Sequence, residues 1–167
     1  GHLDLVLATD GSTGTVLFGD GTGQFPASHE ITTAGGRGPG DSPPCNSVLT
    51  GRHDGDTRPD VAFVGTTNNT LYAFDADGQS LSPIWTRSLG RPMDCSQDGC
   101  GGLFASRFKF GILSTPALSS DGRTLYVVAE TDLGPPGARN FAHMLYALDA
   151  RNGLAELRRT RIAGGAP

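Results

Sequence analysis

TLYVVAETDLGPPGARNFAHMLYALD, residues 124–149, is the stretch that decides the fold of this chain. Two runs of alternating apolar residues flank a loop rich in Gly and Pro, which is typical of two antiparallel strands. The same order of strand, polar turn and second strand ending in an acidic turn occurs in residues 3–20 and 60–75. A repeat at this scale predicts a modular β architecture, in which each unit packs against its neighbours.

The composition also favours strands and turns. The 167 residues include 25 Gly and 11 Pro, and no stretch of ten or more residues keeps the apolar spacing of a helix. The length is sufficient for one domain with a hydrophobic core. We therefore predict an all-β protein.

Each repeat unit reads as a series of short antiparallel strands that are joined by turns. Gly, Asp and Asn mark the turns, and Asn68 and Asn69 lie where a hairpin tip favours positive φ angles. The predicted strands are 3–9, 15–19 and 29–33, then 47–51, 60–66, 70–75 and 84–89, then 113–118, 124–130, 144–149 and 156–162.

Units of four antiparallel strands describe the blades of a β-propeller. We expect a partial first blade at 1–36, a Gly/Pro linker at 37–46, a second blade at 47–90, a cysteine-containing loop at 91–110 and a third blade at 111–167. Because propellers close with four to eight blades, about two and a half blades make an incomplete ring. The open blade edges should therefore contact the remainder of a longer polypeptide or other subunits.

The third unit resembles the pyrroloquinoline-quinone-like repeat of quinoprotein propellers. The resemblance is carried by STPAL at 114–118, LYVVAE at 125–130 and LYALDARNG at 145–153. LYAFDADG at 71–78, together with Trp85, matches the later half of the same repeat. Leu157 stands near the position where the repeat usually has its terminal Trp. The resemblance implies a propeller and an exported bacterial protein.

The first two units are similar to FG-GAP or VCBS repeats, whose blades carry a calcium loop. Asp54, Asp56 and Asp60 fall on the ligand positions of that loop, and the Arg58 carbonyl is a further candidate ligand. Calcium prefers six to eight oxygen ligands from carboxylates and carbonyls, so water would complete the shell. The alternative is an Asp-rich loop whose side chains hydrogen-bond their own backbone.

Three cysteines, Cys45, Cys95 and Cys100, bear on the cellular compartment. Cys95 and Cys100 flank a short polar loop that could close through a disulfide, which would indicate an oxidising environment. The alternative is three reduced cysteines.

Several classes of function are excluded or disfavoured. The formal charge is −4 and the cations are scattered, so nucleic acid is not an expected partner. The longest apolar runs are far shorter than the roughly 20 residues that span a bilayer. Pyrroloquinoline quinone is not expected as a cofactor, because the chain supplies only part of a central channel and lacks an adjacent cysteine pair.

We therefore predict a non-enzymatic scaffold or recognition module of an exported bacterial β-propeller protein, located in the periplasm, on the outer surface or outside the cell, and stabilised by Ca²⁺ if the acidic loop binds it. The expected partners are a protein or a glycan. Two alternatives are a fragment of a quinoprotein dehydrogenase and a calcium-dependent adhesin or carbohydrate-binding propeller.

Overall fold

The computed structural model shows a chain built from short antiparallel strands. It describes residues 5–8, 13–18, 24, 27–32, 45–51, 61–75, 82–98, 109–135 and 138–163. In chain order the elements are β1 (Leu5–Ala8), β2 (Thr13–Phe18), β3 (Ala27–Thr32), β4 (Cys45–Gly51), β5 (Val61–Thr66), β6 (Thr70–Asp75), β7 (Trp85–Ser88), β8 (Met93–Asp94), α1 (Cys95–Asp98), β9 (Lys109–Phe110), β10 (Ala117–Leu118), β11 (Thr124–Asp132), β12 (Phe141–Asp149) and β13 (Glu156–Arg161).

Within the described ranges these strands form three sheets in sequence order and one small extra sheet. We call the sheet β1-β2-β3 the first blade, β4-β5-β6-β7 the second blade and β10-β11-β12-β13 the third blade. Every pairing is antiparallel between sequence neighbours. Strand β1 contacts β4, and β4 contacts β10, so the blades follow one another in a row through their first strands.

The predicted hairpin of the second blade is confirmed. Strand β5 pairs with β6 from Val61 opposite Asp75 to Gly65 opposite Leu71. At its tip Asn69 has a φ of 58°. This is the left-handed conformation that Asn tolerates better than most residues with a side chain.

The hairpin of the third blade is longer than the sequence predicted. We expected its strands to cover 124–130 and 144–149, whereas β11 and β12 pair over nine residues each, from Thr124 opposite Asp149 to Asp132 opposite Phe141. The reason is that Thr131 and Ala142, beyond the predicted strand ends, are also buried. Burial there holds the ladder together, although the local sequence is polar.

Among the described side chains, the hydrophobic core lies between the second and third blades. In β11 and β12 every second residue is buried, as expected for a strand with one face against a neighbouring sheet. The core residues of the second blade are Phe63, Leu71, Ala73 and Trp85, followed by Leu89, and those of the third blade and its approach are Ile112, Leu125, Val127, Ala129, Ala142, Met144, Tyr146, Leu148 and Ala150.

The stretch between these two blades, which we predicted to be irregular, contains regular structure. Met93–Asp94 pairs with Lys109–Phe110 as the two-stranded sheet β8-β9, and Cys95–Asp98 forms the single helical turn α1. A pair of two-residue strands and one turn of helix are too short to show a hydrophobic period. That is why sequence patterning missed them.

Candidate functional site

The principal candidate site is the seam, defined as the contact between β5–β7 of the second blade and β11–β13 of the third blade, together with residues 89–98 and 109–112 of the connection. Trp85, the single tryptophan of the chain, lies at its centre. The indole Nε1 donates a buried hydrogen bond of 3.2 Å to the carbonyl of Ala150. The Trp85 ring also packs against Phe63, with centroids 5.8 Å apart. Trp85 therefore joins the two blades through both its polar and its apolar atoms.

Gly153 ends the turn 149–153, which packs against this indole. Its φ is 62°, and a Cβ on it would collide with the six-membered ring of Trp85. The Gly153 N–H donates to the carbonyl of Asp149 at 2.8 Å, while the Asp149 carboxylate accepts the N–H of Arg151 at 2.9 Å. Both the backbone conformation and the close approach require glycine here.

Arg87 extends this contact to the protein surface. Its Nη1 donates to the carbonyls of Gly153 and Leu154 at 3.3 and 2.6 Å. Its Nη2 pairs with the carboxylate of Glu156 at 3.2 Å. Because Arg87 lies two residues after Trp85 on β7, one short strand supplies both side chains that hold the turn 149–153.

A second set of buried hydrogen bonds lies nearer the hairpin tips. Asn69 Nδ2 donates to the carbonyl of Glu130 at 2.7 Å, and the Leu89 N–H donates to the carbonyl of Asn69 at 2.8 Å. The Leu89 carbonyl accepts from the hydroxyls of Thr131 and Tyr146 at 3.2 and 3.1 Å. The end of the second blade is thus hydrogen-bonded directly to strands β11 and β12.

At the hairpin tip of the third blade, four charged side chains form a closed network. We call Arg91, Asp98, Asp132 and Arg139 the Arg–Asp network. Arg91 donates from Nη2 to both carboxylate oxygens of Asp98 at 2.8 Å and from Nη1 to Asp132 at 3.2 Å. Arg139 bridges the same two carboxylates, each at 3.2 Å. The carboxylates are 1% and 5% exposed for Asp98 and Asp132, respectively.

The environment of these carboxylates favours their charged form. Burial alone would raise the pKa of Asp98, but the hydrogen bond from Arg91, the Asp94 N–H and the charges of both arginines lower it overall. The pKa of Asp132 is lowered mainly by the backbone N–H groups of Asn140 and Gly134, with Arg139 adding to the effect. Two guanidinium groups therefore balance two ionised carboxylates.

The network leaves little capacity for chemistry. Each carboxylate already accepts from arginine and from backbone N–H groups, and Arg91 also lies over the ring of Phe141, 5.6 Å from its centroid. The ion pairs join α1 and the start of the connection to the hairpin tip of the third blade. They hold these two segments in one relative position.

The sequence-predicted calcium ligands Asp54, Asp56, Arg58 and Asp60 lie outside the described residues, and the calcium loop stays a prediction. Within the described part of the chain, no group of three or more His, Cys, Asp or Glu side chains could hold a metal ion.

Cys95, the first residue of α1, is buried and disulfide-bonded. The side chain of its partner lies outside the described residues, so the pairing of Cys95 with Cys100 stays a prediction.

Sequence reasoning missed the Arg–Asp network because its members are far apart along the chain. Arg91 and Asp98 belong to the connection between the blades, whereas Asp132 and Arg139 flank a hairpin tip. One local signal was available: Asp132 precedes Gly134 by two residues and accepts its N–H at 3.0 Å, a pattern typical of an Asx turn. No spacing motif indicated the ion pairs across the seam.

Comparison with known proteins supports the fold. No protein-family model matches the chain, and no curated protein does. The crystal structure of BamB from Moraxella catarrhalis, a β-propeller, is similar with a TM-score of 0.50 and 14% identity, over 94% of this chain and 39% of that chain.

The chain is an incomplete β-propeller. This confirms the predicted fold class, and the chain spans about two fifths of the length of the BamB chain it matches. The FG-GAP or VCBS character of the first two units stays a prediction. In the described part of the chain, no helix has the length and apolar character needed to cross a membrane.

The contact between Gly153 and Trp85 gives a first prediction. We expect Gly153→Ala to lower the free energy of unfolding by about 1–3 kcal/mol, because the new Cβ meets the indole and the backbone is held at positive φ. Gly122→Ala, at a φ of 70° in another turn, is the matched control for the backbone term alone. Urea denaturation should show the larger loss for Gly153→Ala; equal losses would contradict a specific contact with Trp85.

The Arg–Asp network predicts a pH dependence. Unfolded Asp titrates near pH 3.9 and the folded pKa of Asp98 is lower, so its stabilisation is present above about pH 4 and is lost as the pH falls through the folded value. Asp98→Asn should cost about 1–3 kcal/mol at pH 7, since the arginines stay partly in water. It should also flatten the fall in stability below pH 4.

Chemical denaturation at a series of pH values tests this prediction. Glu130→Gln removes one carboxylate from the same hairpin but from outside the network, and it is the matched control. A Glu130→Gln profile that changes as much as the Asp98→Asn profile would show that the network has no specific role in acid stability.

Proposed function

We propose that this chain is a non-enzymatic scaffold or recognition module of an exported bacterial β-propeller protein. The observation that carries the proposal is that the polar side chains at the seam are hydrogen-bonded or ion-paired within the protein. Trp85, Asn69 and Arg87 donate to backbone carbonyls of the third blade, and the Arg–Asp network is closed on itself. These groups hold two blades in a fixed relation, as a platform for binding requires.

The proposed recognition surface lies at the loop end, which we define as the end of the blades that carries residues 82–84, 119–123 and 150–155. Ile84 and Leu154 are both exposed there, Leu154 at 69%, and they flank the Trp85 contact with the turn 149–153. Exposed apolar side chains on a rigid, polar-rimmed surface are typical of protein interaction sites. A protein is the partner that this surface favours.

Export is supported by the disulfide at Cys95. Disulfides persist in oxidising compartments such as the bacterial periplasm and the cell exterior, and they are rare in the cytosol.

Calcium stabilisation through Asp54, Asp56, Asp60 and the Arg58 carbonyl belongs to the same proposal. An acidic loop that joins two strands of a blade would gain most from an ion, because the ion replaces carboxylate repulsion with coordination. Binding to the folded state alone raises the stability by about 2.7 kcal/mol at a hundred times the dissociation constant.

The scaffold proposal is tested by partner capture and by an activity assay. Formaldehyde cross-linking in the cells that produce the protein should link it to defined envelope proteins, and Leu154→Asp should abolish these links. Leu133→Asp, at an exposed apolar residue near the opposite end of the third blade, should leave them unchanged. Quinone-dependent dye reduction by the purified protein, or cross-links insensitive to Leu154→Asp, would contradict the proposal.

The calcium loop is tested separately by titration calorimetry and thermal unfolding. We expect heat of binding at millimolar or lower calcium and a rise of several degrees in Tm, both lost in Asp56→Asn. Asp121→Asn, in a turn of the third blade, is the control and should retain the response. Absence of heat at millimolar calcium would remove the metal from the proposal.

A further inference from the structure

The third blade has an apolar surface on the side that faces away from the second blade. We call it the open face. It forms a shallow groove of about 440 Å³, in which Tyr126 is 41% exposed. Its lining residues are Thr124, Tyr126, Leu145, Ala147, Leu157, Arg158 and Thr160.

The strand registers show what this surface corresponds to in the second blade. Val61 pairs with Asp75 in the second blade, and Thr124 pairs with Asp149 in the third. Matching these two pairs places the remaining residues of the hairpins in correspondence. Phe63 then corresponds to Tyr126, Leu71 to Leu145, and Ala73 to Ala147.

In the second blade, this surface is fully covered. Phe63 is 2% exposed and Leu71 and Ala73 are 0% exposed, because the apolar residues of β11 and β12 pack against them. Among the described residues, the open face is therefore the same surface without a covering sheet. Its shape and chemistry suit a blade that presents alternating apolar residues, as the third blade presents Leu125 and Val127 to the second.

One edge of the open face differs from its counterpart. Trp85 pairs with Ala73 in the second blade, whereas Arg158 pairs with Ala147 in the third. Strand β13 carries three arginines, at 158, 159 and 161, and a single acidic residue, Glu156. In the second blade, the Trp85 indole at this edge donates to the carbonyl of Ala150. In the third blade the corresponding residue is a charged arginine, so the occupant should present acidic groups or free carbonyls to it.

We propose that the open face binds a blade of a second copy of this chain, head to tail. This inference rests on the proposed scaffold function and names a second copy of the chain as one partner of the scaffold. The second copy is a suitable occupant because it is built from the same blade type and has a net charge of −4, opposite in sign to that of β13. The first blade, at the other end of the row, is the sheet it would present.

Such a contact is heterologous, so it can be repeated until a ring closes.

The test is the mass of the intact chain by light scattering and sedimentation velocity from about 1 to 100 µM. We expect a dimer or larger species that grows with concentration, and at least a tenfold weaker association for Tyr126→Glu. Leu113→Glu, at an exposed leucine outside the open face, is the matched control and should associate as the unchanged chain does. A monomer at every concentration, or association unaffected by Tyr126→Glu, overturns the proposal.

A photo-cross-linking variant keeps the proposal testable if Tyr126→Glu fails to fold. Tyr126→p-benzoylphenylalanine preserves an aromatic side chain and should yield a covalent dimer on irradiation, whereas Leu113→p-benzoylphenylalanine should not. Absence of the dimer at position 126 overturns the inference. A monomeric chain that still links to envelope proteins through Leu154 overturns this inference alone and leaves the scaffold proposal standing.

Discussion

The packing of the Trp85 indole against the turn 149–153 is the constraint on which the rest of the structure depends. The ring fills the space between two sheets, and its Nε1 is satisfied by the Ala150 carbonyl. An indole buries about 150–250 Å², whereas one neutral hydrogen bond contributes only about 1 kcal/mol net. Apolar burial therefore supplies most of the stabilisation, and the hydrogen bond fixes the orientation.

The other polar contacts of the seam also fix orientation more than they add stability. Ion pairs between partly buried groups add little net stability, because desolvation offsets their attraction. What Arg91 and Arg139 provide is direction, since the pairs Arg91–Asp132 and Arg139–Asp98 form at one relative position of the connection and the hairpin tip. With Trp85 near the loop end and the hydrogen bonds from Asn69 and to Leu89 near the hairpin tips, the two blades are held at both ends.

The sequence was sufficient to predict the main strands of the three blades, because each is encoded locally, but not β8, β9 and α1 of the connection. Alternation in β11 and β12, the apolar runs of β5 and β6, and the aspartates that end β6 and β12 give both the register and the repeat. The ion pairs of Arg91 and Arg139 could not be predicted, since they depend on how the connection folds back on a distant hairpin. The residue of the third blade that corresponds to Trp85 was only partly predicted. The sequence placed Leu157 near this position, whereas the strand register places Arg158 there, opposite Ala147. The predicted calcium loop lies outside the described residues.

The central claim is that the second and third blades form one cooperative unit joined at Trp85. Because Trp85 is the only tryptophan, its fluorescence reports on the seam alone, while far-ultraviolet circular dichroism reports on all of the strands. In a urea titration followed by both signals, we expect coincident transitions from a blue-shifted, buried indole. An emission shift to the red at urea concentrations where the strand signal is unchanged would show that the seam opens independently, and it would contradict the claim.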